Sequence, residues 1–136
     1  EADIAAVLQS ELSNLISDAT YPTEGMPHPR VYGTFPRLIQ HFVMEKHILT
    51  PEQAVRKMTA LPAKALRLRG KGIIAVDMDA DLCVFDPAQL RENGDYQHPC
   101  RMASGLDAVL VAGEAAVIHD TYTGAQAGTV IRRDTL

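Results

Sequence analysis

With 136 residues, 46% hydrophobic and 22% charged, and a formal net charge of −4, the chain has the size and balance of one small domain of an ordinary soluble protein. That charge argues against a nucleic-acid partner, because no Lys/Arg stripe extends beyond Arg67, Arg69 and Lys71, and Arg132-Arg133 is too short for a basic tail. No apolar run approaches the roughly 18 residues of a membrane span, and the opening Glu1-Ala2-Asp3 has neither the basic nor the apolar region of a secretory signal. Cys83 and Cys100 form no CxxC. Cys83 lies in the apolar run Leu82-Cys83-Val84-Phe85, which predicts a buried, reduced thiol and a cytoplasmic setting.

Residues 3–12 place apolar side chains at 4, 7, 8 and 12, a helical stripe. Residues 14–17 read as a short buried strand. The stretch 19–33 holds three prolines and two glycines, which predicts a long structured loop of the functional kind. Residues 34–47 then predict a helix with Phe35, Leu38, Ile39, Phe42 and Val43 on one apolar face. A second helix opens with Thr50 as N-cap, Pro51 at its first position and Gln53 completing a capping box, and carries Ala54, Val55 and Met58 inward. A short helix over 62–68 ends near Gly70. Beyond it the pattern becomes strand-like: Ile73-Ile74, 81–86, 108–112, 115–118 and Val130-Ile131, separated by turn signals such as Asp86-Pro87, Asn93-Gly94-Asp95 and Gly113.

Chemistry concentrates in the first long loop. Leu15-Ile16 runs into Ser17-Asp18, and a proline-locked His28-Pro29-Arg30 follows. A carboxylate and a guanidinium thus share one loop leaving the end of a strand, where α/β folds build their sites. By itself Asp18 also suits an Asx-turn, and Arg30 a surface ion pair. Arg30 offers a rigid fork that matches a carboxylate bidentately, whereas Arg37 reads as a structural pairing residue. The five histidines, His28, His41, His47, His98 and His119, form neither HxH nor HExxH. His41 and His119 read as surface residues, and His28 as a residue that structures the loop.

The stretch SDATYPTEGMPHPRVYGTFPR resembles the last barrel strand and following loop of the amidohydrolase superfamily, specifically its N-acyl-D-amino-acid deacylases. Gly72-Ile73-Ile74, then Ala80-Asp81-Leu82-Cys83-Val84-Phe85-Asp86, then Val109 to Gly113 resemble the small β-sandwich packed beside that barrel. Two departures stand out: Asp77 sits where the family usually has glycine, which suggests a changed turn, and Ala112 replaces the common asparagine before Gly113.

The resemblance implies an α/β fold: residues 1–69 as the last βα unit of a metal-dependent hydrolase TIM barrel with appended helices, and 70–136 as C-terminal strands of the accessory β-sandwich. A whole barrel takes roughly 250 residues, so the chain is expected to be a C-terminal fragment. It also implies Asp18 as the catalytic aspartate and a metal ligand, Arg30 as the binder of the substrate carboxylate, Tyr32 as a pocket residue, and Zn2+ (one or two divalent ions) as cofactor. The substrate class is N-acyl-D-amino acids, with the chain alone inactive. A dihydroorotase-like cyclic-amide hydrolase and a non-catalytic interaction module are the rival readings. Apolar faces built for missing partners predict that the isolated chain self-associates.

Overall fold

A computed structural model describes residues 1–20 and 24–132. Helices precede an antiparallel sheet in the order α1 (Ala2–Gln9), α2 (Arg30–Arg37), a π-helix (Leu38–Glu45), α3 (Pro51–Met58), α4 (Ala60–Ala65), β1 (Leu82–Phe85), β2 (Leu106–Val111), β3 (Glu114–Ile118) and β4 (Thr121–Tyr122).

The stretch expected as a buried strand, 14–17, forms none. Leu15 donates its N–H to the Lys57 carbonyl at 3.0 Å, while Ile16 is 67% exposed. A strand needs a neighbour for its backbone groups, and here the neighbour is the last turn of α3. The helix expected over 34–47 starts earlier, at Arg30, with Pro29 already helical at φ −53°. Pro36 lies inside α2 and offers no N–H, and the coil widens into the π-helix two residues later. The π-helix closes where Lys46 donates to the His41 carbonyl at 2.9 Å and Ile48 to the Phe42 carbonyl at 2.8 Å. His47 reverses the chain there at φ +52°.

The capping box of α3 forms in full. Gln53 donates its backbone N–H to Thr50 Oγ1 at 3.2 Å, and Thr50 donates its own to Gln53 Oε1 at 2.9 Å. Ala54 is wholly buried, but Val55 turns outward, contrary to expectation. Ala54, Lys57 and Met58 share one face at i, i+3 and i+4, and Val55 sits beside it. Lys57 is buried because its ammonium finds three acceptors: it donates to the Ser10 carbonyl at 2.6 Å, the Ser13 carbonyl at 2.9 Å and Ser13 Oγ at 3.0 Å.

Leu8, Leu38, Ile39, Val43, Leu49 and Ala54 join Leu90 in one core, against which Phe85 of β1 and Leu106 of β2 pack. The core therefore ties the helical half to the sheet. The strands lie in the order β1-β2-β3-β4, all antiparallel. Two-residue turns join β2 to β3 at Ala112-Gly113 (φ +50° and +82°) and β3 to β4 at His119-Asp120 (φ +45° and +62°). Positive φ at both positions is the type I′ requirement, which matches strand twist.

Three expectations for this half are corrected. Ile73-Ile74 and Val130-Ile131 form no strands, and Ile74 and Val130 are 90% and 84% exposed. Cys83 is an exposed free thiol, because β1 is an edge strand whose bulge at Val84/Phe85 breaks the inward alternation. Asp77 takes φ +66°, the region that favours glycine, in a turn closed by Met78 N–H donating to the Ala75 carbonyl at 3.4 Å.

Candidate active-site loop

After α1 the chain turns at residues 11–12, where Ser13 N–H donates to the Ser10 carbonyl at 3.2 Å, and continues without regular structure to Asp18, which adopts the left-handed φ of +48°. Non-glycine residues rarely take that conformation, and they gather at functional sites. Residues 21–23, within the predicted loop, lie outside the described residues. The loop then returns through Pro27-His28-Pro29, whose prolines hold φ near −65° and deliver Arg30 as the first residue of α2. Local bonds lock that entry. Val31 donates to the His28 carbonyl at 3.1 Å, Gly33 to the Pro29 carbonyl at 2.9 Å, and Thr34 Oγ1 to the Arg30 carbonyl at 2.8 Å.

Asp18 and Arg30 meet across the loop, with Arg30 Nη1 3.4 Å from Asp18 Oδ2. The Asp18 side chain is 76% exposed, so the ion pair leaves the carboxylate open to other partners. Arg30 Nε is buried and has no acceptor among the described residues. A buried unpaired donor is costly, on the order of 1–3 kcal/mol, so the fork carries an unused valence for an oxygen acceptor. Tyr32, two residues on, points about 200° away around α2 and is half-buried on a different face.

His28 is not a bystander: its Nδ1 accepts the Arg30 backbone N–H at 3.0 Å and its Nε2 lies 3.2 Å from Tyr96 Oη. Arg37 pairs with Glu92 at 3.0 Å, as its structural reading requires. Gly33 admits that contact, since a Cβ there would sit 2.4 Å from Glu92 Oε1. His41, expected at the surface, is instead only 17% exposed, held between Glu45 at 2.7 Å and Glu1 at 3.3 Å with its ring edge-on to Phe42. Its hydrogen bond holds the Glu45 carboxyl below the usual range. Tyr96 and Glu92 went unnoticed in the sequence because they arrive from far along the chain, and a long-range contact leaves no local pattern.

Two shallow cavities lie elsewhere, one of about 210 Å³ beside Lys71, Asp79 and Ile131 and one of about 160 Å³ beside Leu8, Leu15 and Phe42. Among the described residues no group of three or more His, Cys, Asp and Glu side chains is disposed to hold a metal ion. Catalytic zinc takes about three protein ligands. Asp18 is one donor of the right kind, and these residues alone do not fit the ion.

The amidohydrolase family model matches residues 13–117, and the chain belongs to that family. It is 36% identical to a D-aminoacylase and to an N-acyl-D-glutamate deacylase, both of Alcaligenes xylosoxydans xylosoxydans, over 98% of its own length in each case. Among solved structures, a D-aminoacylase described as defining a novel subset of amidohydrolases superposes with a TM-score of 0.85 at 35% identity, covering 92% of this chain and 26% of that one. A D-aminoacylase mutant in complex with copper chloride reaches 0.89 at 35% identity, covering 96% and 27%. The N-acyl-D-glutamate deacylase of Bordetella bronchiseptica, complexed with zinc and a phosphonate mimic of the tetrahedral intermediate, reaches 0.80 at 32%, covering 85% and 24%. The chain spans 27% of the length of the two Alcaligenes relatives.

Proposed function

We propose that the chain is part of a metal-dependent N-acyl-D-amino-acid deacylase, which hydrolyses the amide to a carboxylate and a free D-amino acid. Residues 1–69 contribute the final part of a TIM barrel and residues 70–136 strands of an accessory β-sandwich. The observation that carries the reading is the Asp18–Arg30 pair at 3.4 Å, with Asp18 at a left-handed φ and Arg30 Nε lacking an acceptor among the described residues. Arg30 grips the free carboxylate of the N-acyl amino acid and so orients the scissile amide. The Asp18 carboxylate takes the proton of the attacking water and returns it to the leaving amine. Tyr32, on another face of α2, is assigned to the substrate pocket on the family resemblance alone. In the longer protein Asp18 would be one zinc ligand beside donors from outside the described residues, and the ion would lower the pKa of a bound water and polarise the acyl carbonyl.

The chain alone is inactive on this reading, since its described residues offer one donor. Its free, exposed cysteines suit a reducing, cytoplasmic compartment. No helix among the described residues is long and apolar enough to cross a membrane, and the net charge of −4 suits a small-molecule enzyme better than a nucleic-acid binder.

The test is steady-state kinetics of the longer protein on N-acetyl-D-amino acids, N-acetyl-L-amino acids and cyclic ureides. Turnover of the D-series alone is expected. Asp18→Asn should lower kcat by about 10²–10⁴-fold with zinc content nearly intact. Arg30→Lys should act mainly on KM, because lysine lacks the fork. An Asp18→Asn enzyme with near-normal kcat removes Asp18 from the proton path.

A further inference from the structure

Both nitrogens of His28 are engaged. Nδ1 accepts the Arg30 backbone N–H at 3.0 Å and so carries no proton. In the neutral ring the proton then sits on Nε2, which donates to Tyr96 Oη at 3.2 Å. The two rings meet edge-on, with centroids 5.2 Å apart at 82°, so Tyr96 sets the plane of the imidazole as well as its tautomer. Tyr96 stands 68 positions along the chain from His28, on the excursion between β1 and β2. The same excursion is anchored on the helix beside it. Glu92 pairs with Arg37 at 3.0 Å, and its N–H donates to Gln40 Oε1 at 2.9 Å.

The sheet half of the molecule thus reaches over and holds the entry of α2 at the residue that matters. Tyr96 itself is 75% exposed, and an exposed side chain with one directional contact contributes little to global stability. What the contact does set is orientation. Arg30 donates its backbone N–H to a ring fixed by Tyr96, and its guanidinium holds Asp18 at Nη1 while Nε has no acceptor among the described residues.

We propose that Tyr96 is a positioning residue for Arg30, acting through His28 to present the guanidinium to the substrate carboxylate. The proposal rests on the reading of Arg30 as the carboxylate grip. Its first test is nuclear magnetic resonance of the longer protein labelled with nitrogen-15 at arginine and histidine. Tyr96→Phe should move the Arg30 backbone amide, the Arg30 Nε–H and the His28 ring nitrogens, with the thermal midpoint unchanged. Arg30 resonances that stay in place overturn the positioning.

The second test is kinetic, in the longer protein. Tyr96→Phe should raise KM for N-acetyl-D-amino acids about threefold to tenfold, the scale of one lost hydrogen bond, with kcat unchanged. The same change should add nothing in an Arg30→Lys background, because the two residues act as one unit. A fully additive double variant, or a fall in kcat at unchanged KM, overturns the proposal. A wild-type protein that turns over no N-acyl-D-amino acid, while Arg30 resonances still move with Tyr96→Phe, overturns the deacylase reading and the substrate half of this proposal, and leaves the Tyr96–His28–Arg30 linkage standing.

Discussion

Ala112 occupies the first central position of the β2–β3 turn at φ +50°, where an L-residue with a Cβ is disfavoured and asparagine is preferred. Its N–H donates to Asp81 Oδ1 at 2.8 Å, a bond any residue but proline would keep. Ala112→Asn is therefore expected to stabilise the chain by about 0.5–1 kcal/mol, measured by denaturant unfolding. Unchanged or lowered stability would mean that the backbone does not hold the left-handed turn. Asp18 shares the left-handed conformation without being the turn of a hairpin. A cost at Asp18 that no hairpin requires is one more reason to look for chemistry there.

At the scale of elements, the hydrogen bonds that end each segment carry much of the local order. Thr50→Ala removes the acceptor for the Gln53 N–H and should cost about 1 kcal/mol, read as a lower denaturation midpoint at unchanged slope. The sheet is pinned at its turns by carboxylates. The Lys71 ammonium, and then the Ala112 N–H, hold the Asp81 carboxyl below its ordinary 3.8. The Gly105 and Leu106 amides, at 3.0 and 2.7 Å, do the same for Asp120. Carboxyls depressed in the fold stabilise it above about pH 3.8 and lose that contribution as pH falls through their folded values. Lys71 is raised above 10.5 by Asp81 and then by Asp79, so its share is complete below 10.5 and fades as pH rises through the raised value. The melting temperature should be level between these limits and fall toward acid. Asp81→Asn should lower it at neutral pH and flatten the acid limb. An acid limb of undiminished slope in that variant would assign the effect to other carboxyls.

Taken as a whole, the molecule leaves much apolar surface uncovered: Leu12 is 96% exposed and Val76 88%, and β1 presents an open edge with Val84 and Cys83 outward. Edges and patches of this kind recruit other chains. The isolated chain is expected to self-associate, giving a weight-average mass by light scattering that falls on dilution. A compact monomer that melts cooperatively at low micromolar concentration would show that these surfaces are self-sufficient.

Local signals were legible in the sequence. The Thr50-Pro51-Glu52-Gln53 cap and the hairpin around Gly113 follow from forces acting within a few residues, and the structure has both; of the apolar stripe Phe35, Leu38, Ile39, Phe42 and Val43, Leu38, Ile39 and Val43 are buried and Phe42 partly so, while Phe35 is 42% exposed. The His28-Pro29-Arg30 block and the acid before it were legible too, since prolines fix backbone wherever they stand. Tertiary structure decided what those signals meet. Residues 14–17 carry a strand-like pattern but found a helix end instead of a strand, and Ile73-Ile74 found no partner. Lys57 is buried because two serines happen to lie opposite it. Arg30 meets Asp18 on one side, and on the other its backbone is held by a histidine that Tyr96 aligns from the sheet half of the chain. Pairing, burial and the aim of a side chain depend on groups distant along the chain. No stretch of sequence encodes them until the fold has brought those groups together.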